Sequence, residues 1–308
     1  MDKPKKLKSA TFLKNIFSRT NINAKITKLC YLTLVVLVVF IYANLLFAKD
    51  TLLVFAGAAS KPATEKIAKL FEKKTGIKVE LVFGGSGFVL SQMILAKRGD
   101  IYFPGSSDYM EMAKTKATVL EDTERYVVYL VPAINVQKGN PKNIRSLKDF
   151  TRPGIRVGIA NPEGVCIGGY SVEIIEKNLT SVEKQNFKKN IVCYLESCEK
   201  TATSISLKSV DAVIGWSVFE HWNHQRIETV PLKKEEIIRI GYMPIAISSF
   251  TKNRQLAQKF IDFVLSEEGK NVFKEYKYFT TPEEAFRYVG EKKPIGGKYE
   301  VPADWYKK

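Results

Sequence analysis

The chain of 308 residues holds only two histidines, His221 and His224. They stand three apart around Trp222 and Asn223, with no third ligand signalled nearby, so they read as two surface imidazoles rather than a metal centre. A Walker A loop is missing too. Gly84-Gly85-Ser86-Gly87 is not followed by Lys and Ser or Thr, and Gly296-Gly297-Lys298 runs into Tyr299. No nucleophile elbow appears. Glu267-Glu268 fits the first turn of a helix, where carboxylates meet the positive dipole end, and not a catalytic dyad. Tyr126 and Tyr129 alternate within a strand and read as core and rim, not as ligands for ferric ion. With no nucleophile, metal set or acid–base pair, the sequence points away from an enzyme. Internal repeats and low-complexity tracts are also absent, and a hydrophobic content of 45% excludes a disordered chain.

Acidic residues are scarce at one end. Residues 1–48 carry eight bases against a single acid, Asp2, and so supply +7 of the formal +16. From Leu29 to Ala48 the chain runs 20 residues without a charge, long enough to span a bilayer. Bases before the span put the amino end inside and the body outside, in the periplasm or on the outer face of the cytoplasmic membrane. Leu46-Phe47-Ala48 is a poor cleavage site, so both a signal peptide and a retained anchor stay open. Cys30 lies at the start of the span, the wrong end for a lipoprotein cysteine, and reads as apolar filler. Export removes genomic nucleic acid as a partner for the basic body. The residues before the span also leave no room for a helix-turn-helix module.

In the body, strands alternate with helices. Thr51–Ala56 reads as a buried strand, and Lys61–Lys74 as a helix with Ser60 at its N-cap, Pro62 in the first turn and Gly76 beyond its end. Ile77–Phe83, then a helix at Phe88–Ala96, then Asp100–Phe103 and a helix at Tyr109–Lys114 repeat the unit. Arg125–Val131 is a strand ended by Pro132, an exit into a second lobe. Ile155–Ala160 with a helix from Tyr170 to Lys177, Ile191–Leu195 with a helix to Lys208, and Asp211–Gly215 repeat it again. Ile238–Ser248 crosses back, and helices at Asn253–Leu265 and Glu267–Tyr276 follow. The fold class is α/β, with open sheets flanked by helices.

The turns between strand and helix carry the chemistry. A helix N-terminus presents unpaired N–H groups and partial positive charge, so a small-residue turn there can hold an oxyanion without a charged side chain. Five such turns occur: Ala59-Ser60, Gly84 to Gly87, Gly105-Ser106, Cys166 to Gly169, and Ser197-Cys198. Any one is ordinary helix punctuation. Together, aimed at one cleft, they make an anion trap at the C-terminal ends of the strands.

These residues carry a family resemblance. Val54–Gly87 (VFAGAASKPATEKIAKLFEKKTGIKVELVFGGSG), Gly99–Ala113, Ile155–Ile175, Val210–Trp216 and Gly241–Phe279 resemble the periplasmic molybdate-binding proteins of ABC importers, within the type II solute-binding fold. The match covers roughly Leu52 to Phe279. It implies two lobes with a ligand cleft between them: residues 49–131 with 242–308 in the first lobe, and 132–241 in the second. It implies a non-enzymatic monomer that captures molybdate or tungstate and hands it to an ABC permease and its ATPase, with no cofactor beyond that ligand. Ser60 and Ser86 would meet the anion through hydroxyl and backbone N–H, and Gly105 would take the place of a small residue in the third turn. Ile167 and Cys198 would donate backbone N–H groups from the second lobe. Trp216 stands where the family has tyrosine, and an indole N–H donates but cannot accept. Gly168-Gly169 and Trp216 are also similar to sulfate-binding proteins, so a sulfate-like ligand is the alternative. A membrane-anchored anion sensor is a second alternative, but the inner side supplies no evident output domain.

Cys166, Cys193 and Cys198 lie in the exported body, where an odd number of thiols needs explaining. The resemblance places Cys166 and Cys198 in neighbouring turns and so allows a bridge bordering the site. Short loop closure alone favours Cys193 with Cys198.

Overall fold

The computed structural model describes residues 51–306 and, ahead of them, Thr33 alone. The expectations for residues 1–48, Cys30 among them, lie outside the described residues. Among the described residues no helix is long and apolar enough to cross a membrane.

The first lobe is built by repeated strand and helix. Strand β1 (Thr51–Gly57) leads through a short 3-10 turn to α1 (Lys61–Thr75), then β2 (Lys78–Gly84), α2 (Ser86–Ala96), β3 (Ile101–Phe103), α3 (Ser107–Thr115) and β4 (Arg125–Leu130). Helix α1 starts with Pro in its first turn and stops at Gly76, whose φ of +75° suits a glycine C-cap. In the second lobe come β5 (Pro132–Gln137), β6 (Val157–Ala160), α4 (Cys166–Asn178), α5 (Ser181–Asn190), β7 (Ile191–Leu195), α6 (Cys198–Ser206), β8 (Ala212–Trp216), α7 (Phe219–Trp222) and β9 (Ile227–Pro231). The chain then returns as β10 (Gly241–Ile247), followed by α8 (Arg254–Leu265), α9 (Glu267–Glu275) and α10 (Pro282–Val289).

Each lobe holds one five-stranded sheet, ordered β2-β1-β3-β10-β4 in the first and β7-β6-β8-β5-β9 in the second. Three strands of each run parallel, and one antiparallel strand, β10 or β5, separates them from the edge. Because β1 pairs with β2 from Thr51↔Lys78 to Gly57↔Gly84, the strands end side by side and their turns open on one edge. Helix α8 covers the first sheet with Leu256, Ala257, Phe260, Ile261 and Val264, and the Phe260 ring meets Phe71 edge-on at 5.2 Å. A side chain of the size of Phe260, fully buried, contributes about 1.5–3 kcal/mol.

As expected, β4 stops just short of Pro132 and the chain passes there into the second lobe, with Pro132 opening β5 of the other sheet. Two local readings differ from the structure. Helix α4 begins at Cys166, four residues before the expected Tyr170, because its glycines at 168 and 169 lie inside the first turn. The tail after Thr281, expected with the first lobe, packs on the second: Ala285 and Trp305 join the cluster of Phe150, Val172 and Phe187, and Trp305 Nε1 donates to Glu176 Oε1 at 2.7 Å. Between these ends a strap, residues 294–297, lies along the crossover, where Ile240 N donates to Pro294 O and Gly296 N donates to Ile240 O.

Candidate functional site

Three turns of the first lobe converge where only glycine fits. A Cβ on Gly57 would lie 2.6 Å from both Gly105 N and Ser86 Oγ. Ser86 Oγ accepts from Gly105 N at 2.9 Å, and Ser86 O accepts from the Tyr102 hydroxyl at 2.9 Å. The Ser86 O–H is thereby left as a donor, and Ser86 N, at the first position of α2, has no intrahelical acceptor. Ser60 is buried, with its hydroxyl at 3.4 Å from Gly57 O, a long contact. Tyr278 braces this turn from the return segment by donating to Ala59 O at 2.6 Å.

The second lobe presents helix starts. Cys166 and Ile167 are the first two residues of α4, and Cys198 is the first of α6. Ser197 caps α6 by accepting Lys200 N at 3.1 Å, which leaves the N–H groups of Cys198 and Glu199 as the ones without a partner in the helix. The Cys166 and Cys198 sulfurs lie 3.3 Å apart, both thiols free and each residue 2% exposed. Burial pushes the Cys166 thiol well up, Cys198 adds to the shift, and the Trp216 indole beside it pulls the other way. Cys193 is half-buried on β7 and has no share in this contact.

The lobes are shut on one another. Gly87 N donates to Gly164 O at 3.0 Å across the cleft. A Cβ on Gly105 would meet Cys166 Sγ at 2.6 Å, and one on Gly85 would meet Gly164 O at 2.6 Å and Glu196 O at 2.7 Å. Lys61 and Glu199, each one residue past a turn, pair at 2.6 Å with side chains 29% and 45% exposed. In that setting the pair contributes less than about 1 kcal/mol. Outside it, a cavity of about 570 Å³ opens between Lys61, Glu199, Trp222 and Arg226.

Six buried polar atoms near the cleft, Ser106 Oγ, Ser107 Oγ, Asp108 Oδ1, Tyr170 Oη, Trp216 Nε1 and Ser217 Oγ, lack a partner in good hydrogen-bond geometry, although the Trp216 indole lies close enough to the Cys166 sulfur, and Ser106 to the Asp108 carboxyl, to pull on each. The Trp216 and Tyr170 rings meet at 5.1 Å, and Gly241 leaves room for both. An unpartnered buried polar atom costs about 1–3 kcal/mol, a cost that a bound ligand could relieve. Charge nearby is already engaged. Arg239 lies 3.7 Å over the Tyr170 ring, pairs with Glu173 at 2.6 Å and donates to Gly296 O. Burial pushes the Asp108 carboxyl up, against the pull of Ser106 and Arg239.

The structure therefore brings Ser86, Gly105, Cys198 and Trp216 into one contact network through Cys166; Ser60 touches Gly57 O of its own turn, and Ile167 follows Cys166 in α4. Sequence reading missed Gly57, Tyr170 and Tyr278. Tyr170 sits within the Gly-x-Tyr-x-x-Glu helix start, a signal that was available; Tyr278 lies 219 residues from the Ala59 carbonyl it caps and had none. His221 is exposed on α7, and among the described residues no group of three His, Cys, Asp or Glu side chains could hold a metal ion.

A two-lobed α/β body with ligand-facing turns in a cleft is the architecture of periplasmic binding proteins of the type II fold, and the comparisons agree. Residues 52–278 match the family described as bacterial extracellular solute-binding protein, and the chain belongs to that family. A Haemophilus influenzae relative whose name goes no further than a binding protein is 29% identical over 239 residues, covering 74% of this chain and 88% of its own. The molybdate-binding protein ModA of Mycobacterium tuberculosis H37Rv is 29% identical over 117 residues, 38% of this chain and 44% of its own. The sulfate-binding protein SubI of the same organism superposes with a TM-score of 0.68 at 15% identity, over 80% of this chain and 93% of its own. At that identity the likeness concerns the fold.

Proposed function

We propose that this solute-binding protein captures a tetrahedral oxyanion, molybdate or tungstate, between its lobes and delivers it to an ABC permease and its ATPase. One observation carries the reading: the Ser86 and Gly105 turns of the first lobe meet the starts of α4 and α6 across the cleft, where Gly105 packs on the Cys166 sulfur and Cys166 on Cys198. Neutral donors at helix starts suit a dianion, because they stabilise it without adding a competing cation. The partial match to a molybdate-binding relative supports the choice of anion. A sulfate-like ligand is the second reading, favoured by Trp216 in the place of tyrosine. In this reading Ser60, Ser86, Gly105, Ile167, Cys198 and Trp216 form the binding set.

A thermal-shift panel of molybdate, tungstate, sulfate and phosphate decides between the two. At about 100 times Kd the true ligand stabilises the protein by roughly 2.7 kcal/mol. A shift with sulfate alone would replace molybdate by sulfate, and no shift with any oxyanion would overturn the function.

A further inference from the structure

Anion capture by N–H and O–H groups leaves the thiol pair without a task. We propose that Cys166 and Cys198 are a redox pair whose oxidation to a disulfide is gated by opening of the lobes and held back by bound ligand. Only the ligand arm of this inference rests on the oxyanion reading.

The geometry supplies each part. The sulfurs lie 3.3 Å apart, on the first residues of two helices of the same lobe. A disulfide needs about 2.05 Å, so a contraction of about 1.2 Å, within one lobe, completes the bond. Access is the obstacle. Both residues are 2% exposed, and the Cys166 sulfur is covered by Gly105 of the first lobe, where even a methyl group would approach to 2.6 Å. While the lobes are shut, both sulfurs are shielded from any oxidant and inert. Opening lifts Gly105 away and leaves the Cys166 sulfur at a helix N-terminus, a setting that favours the thiolate.

The oxidant is a disulfide-bearing molecule, a protein dithiol oxidoreductase or a small disulfide. One thiolate of the pair attacks the oxidant's sulfur and expels its first thiolate, giving a mixed disulfide. The second thiolate of the pair then attacks the bonded cysteine sulfur and expels the remaining oxidant thiolate. Two protons leave the pair, two electrons pass to the oxidant, and one disulfide replaces another.

The test follows the reduced full-length chain in oxidised glutathione, with timed alkylation and peptide mapping. The expected product is the Cys166–Cys198 linkage, formed at the same rate in Cys193→Ser. Ligand at 100 times Kd leaves about one molecule in 100 free to open, so the rate should fall about 100-fold with whichever oxyanion raises the melting temperature. Lys61→Ala, which removes a contact between the lobes, should speed the reaction two- to five-fold with no ligand present. A bond to Cys193, thiols that stay reduced, or a rate unmoved by Lys61→Ala would overturn the proposal. If no oxyanion raises the melting temperature, the oxyanion reading fails while the linkage map and the Lys61→Ala rate still judge the pair. A stabilising oxyanion that fails to slow oxidation overturns the gate and leaves the oxyanion reading standing.

Discussion

The two lobes share one strand order yet face the cleft with different chemistry. The first meets it with glycines and hydroxyls, Gly57, Ser60, Ser86, Gly105 and Ser106. The second offers thiols and rings, Cys166, Cys198, Tyr170 and Trp216. One hydrophobic cluster runs from Leu52 and Phe71 of the first lobe to Cys166, Ile205 and Trp216 of the second, while the outer half of the second lobe keeps a separate core around Phe150 and Phe187. The first lobe is thus a hydroxyl cradle, and the cleft-facing half of the second is a lid that shares the first lobe's hydrophobic core.

Substitutions can break or sharpen this contrast. The largest effect is expected from Gly57→Val, which drives a side chain into Gly105 N and Ser86 Oγ. It should destabilise the fold by about 1–3 kcal/mol and abolish anion binding, as read by thermal melts and titration calorimetry. Retained binding would show that the three turns of the first lobe need not converge. Ser86→Ala comes next: losing a donor to a charged acceptor costs about 1.5–3 kcal/mol, a roughly 10- to 150-fold weaker Kd. For the lid, Trp216→Phe should weaken binding by about 1–2 kcal/mol through the loss of the indole N–H, read by titration calorimetry beside a thermal melt of the empty protein. A drop in empty-state stability with unchanged affinity would make Trp216 a packing residue. Lys61→Ala should cost less than about 1 kcal/mol, and that loss should fade with added salt. If it exceeds Ser86→Ala and wild-type affinity collapses with salt, charge pairing holds the ligand. Smallest and of opposite sign is Gly169→Ala, where nothing lies within 4 Å of the new methyl group in α4. A gain of about 0.5–1 kcal/mol is expected in urea unfolding.

Most of the fold was legible because apolar strands and amphipathic helices alternate, and the turn residues between them are small. What escaped were elements whose identity is set by distant partners. Strand β9 (Ile227–Pro231) has mixed polarity and exists by pairing with β5, Ala133↔Pro231 to Gln137↔Ile227. Helix α10 was expected as a short helix after Phe279, and only its place in the second lobe escaped, because a single residue, Ala285, is buried there. In the site, glycine and serine at strand ends marked the cradle. The lid was harder to read: the resemblance marked Trp216, but Tyr170 looks like a core aromatic until the fold shows its hydroxyl without a partner. The nearness of Cys166 and Cys198 came from the resemblance, not from their spacing. The structure brings the two sulfurs together and leaves them unbonded.

The strap at residues 294–297 has a mechanical consequence. The chain leaves the first lobe after Phe279, whose carbonyl accepts from Tyr129 N at 2.8 Å, and both flanks of the strap, at Ala285 and Trp305, are plugged into the core of the second. Midway, the Gly296 carbonyl is pinned by Arg239 of the crossover. The chain therefore joins the lobes three times, at Val131, at residues 232–240 and at residues 280–281, just ahead of α10. A swing about two crossings is a free door; a third tie of finite length is a doorstop, and it fixes how wide the mouth can gape before backbone hydrogen bonds must break.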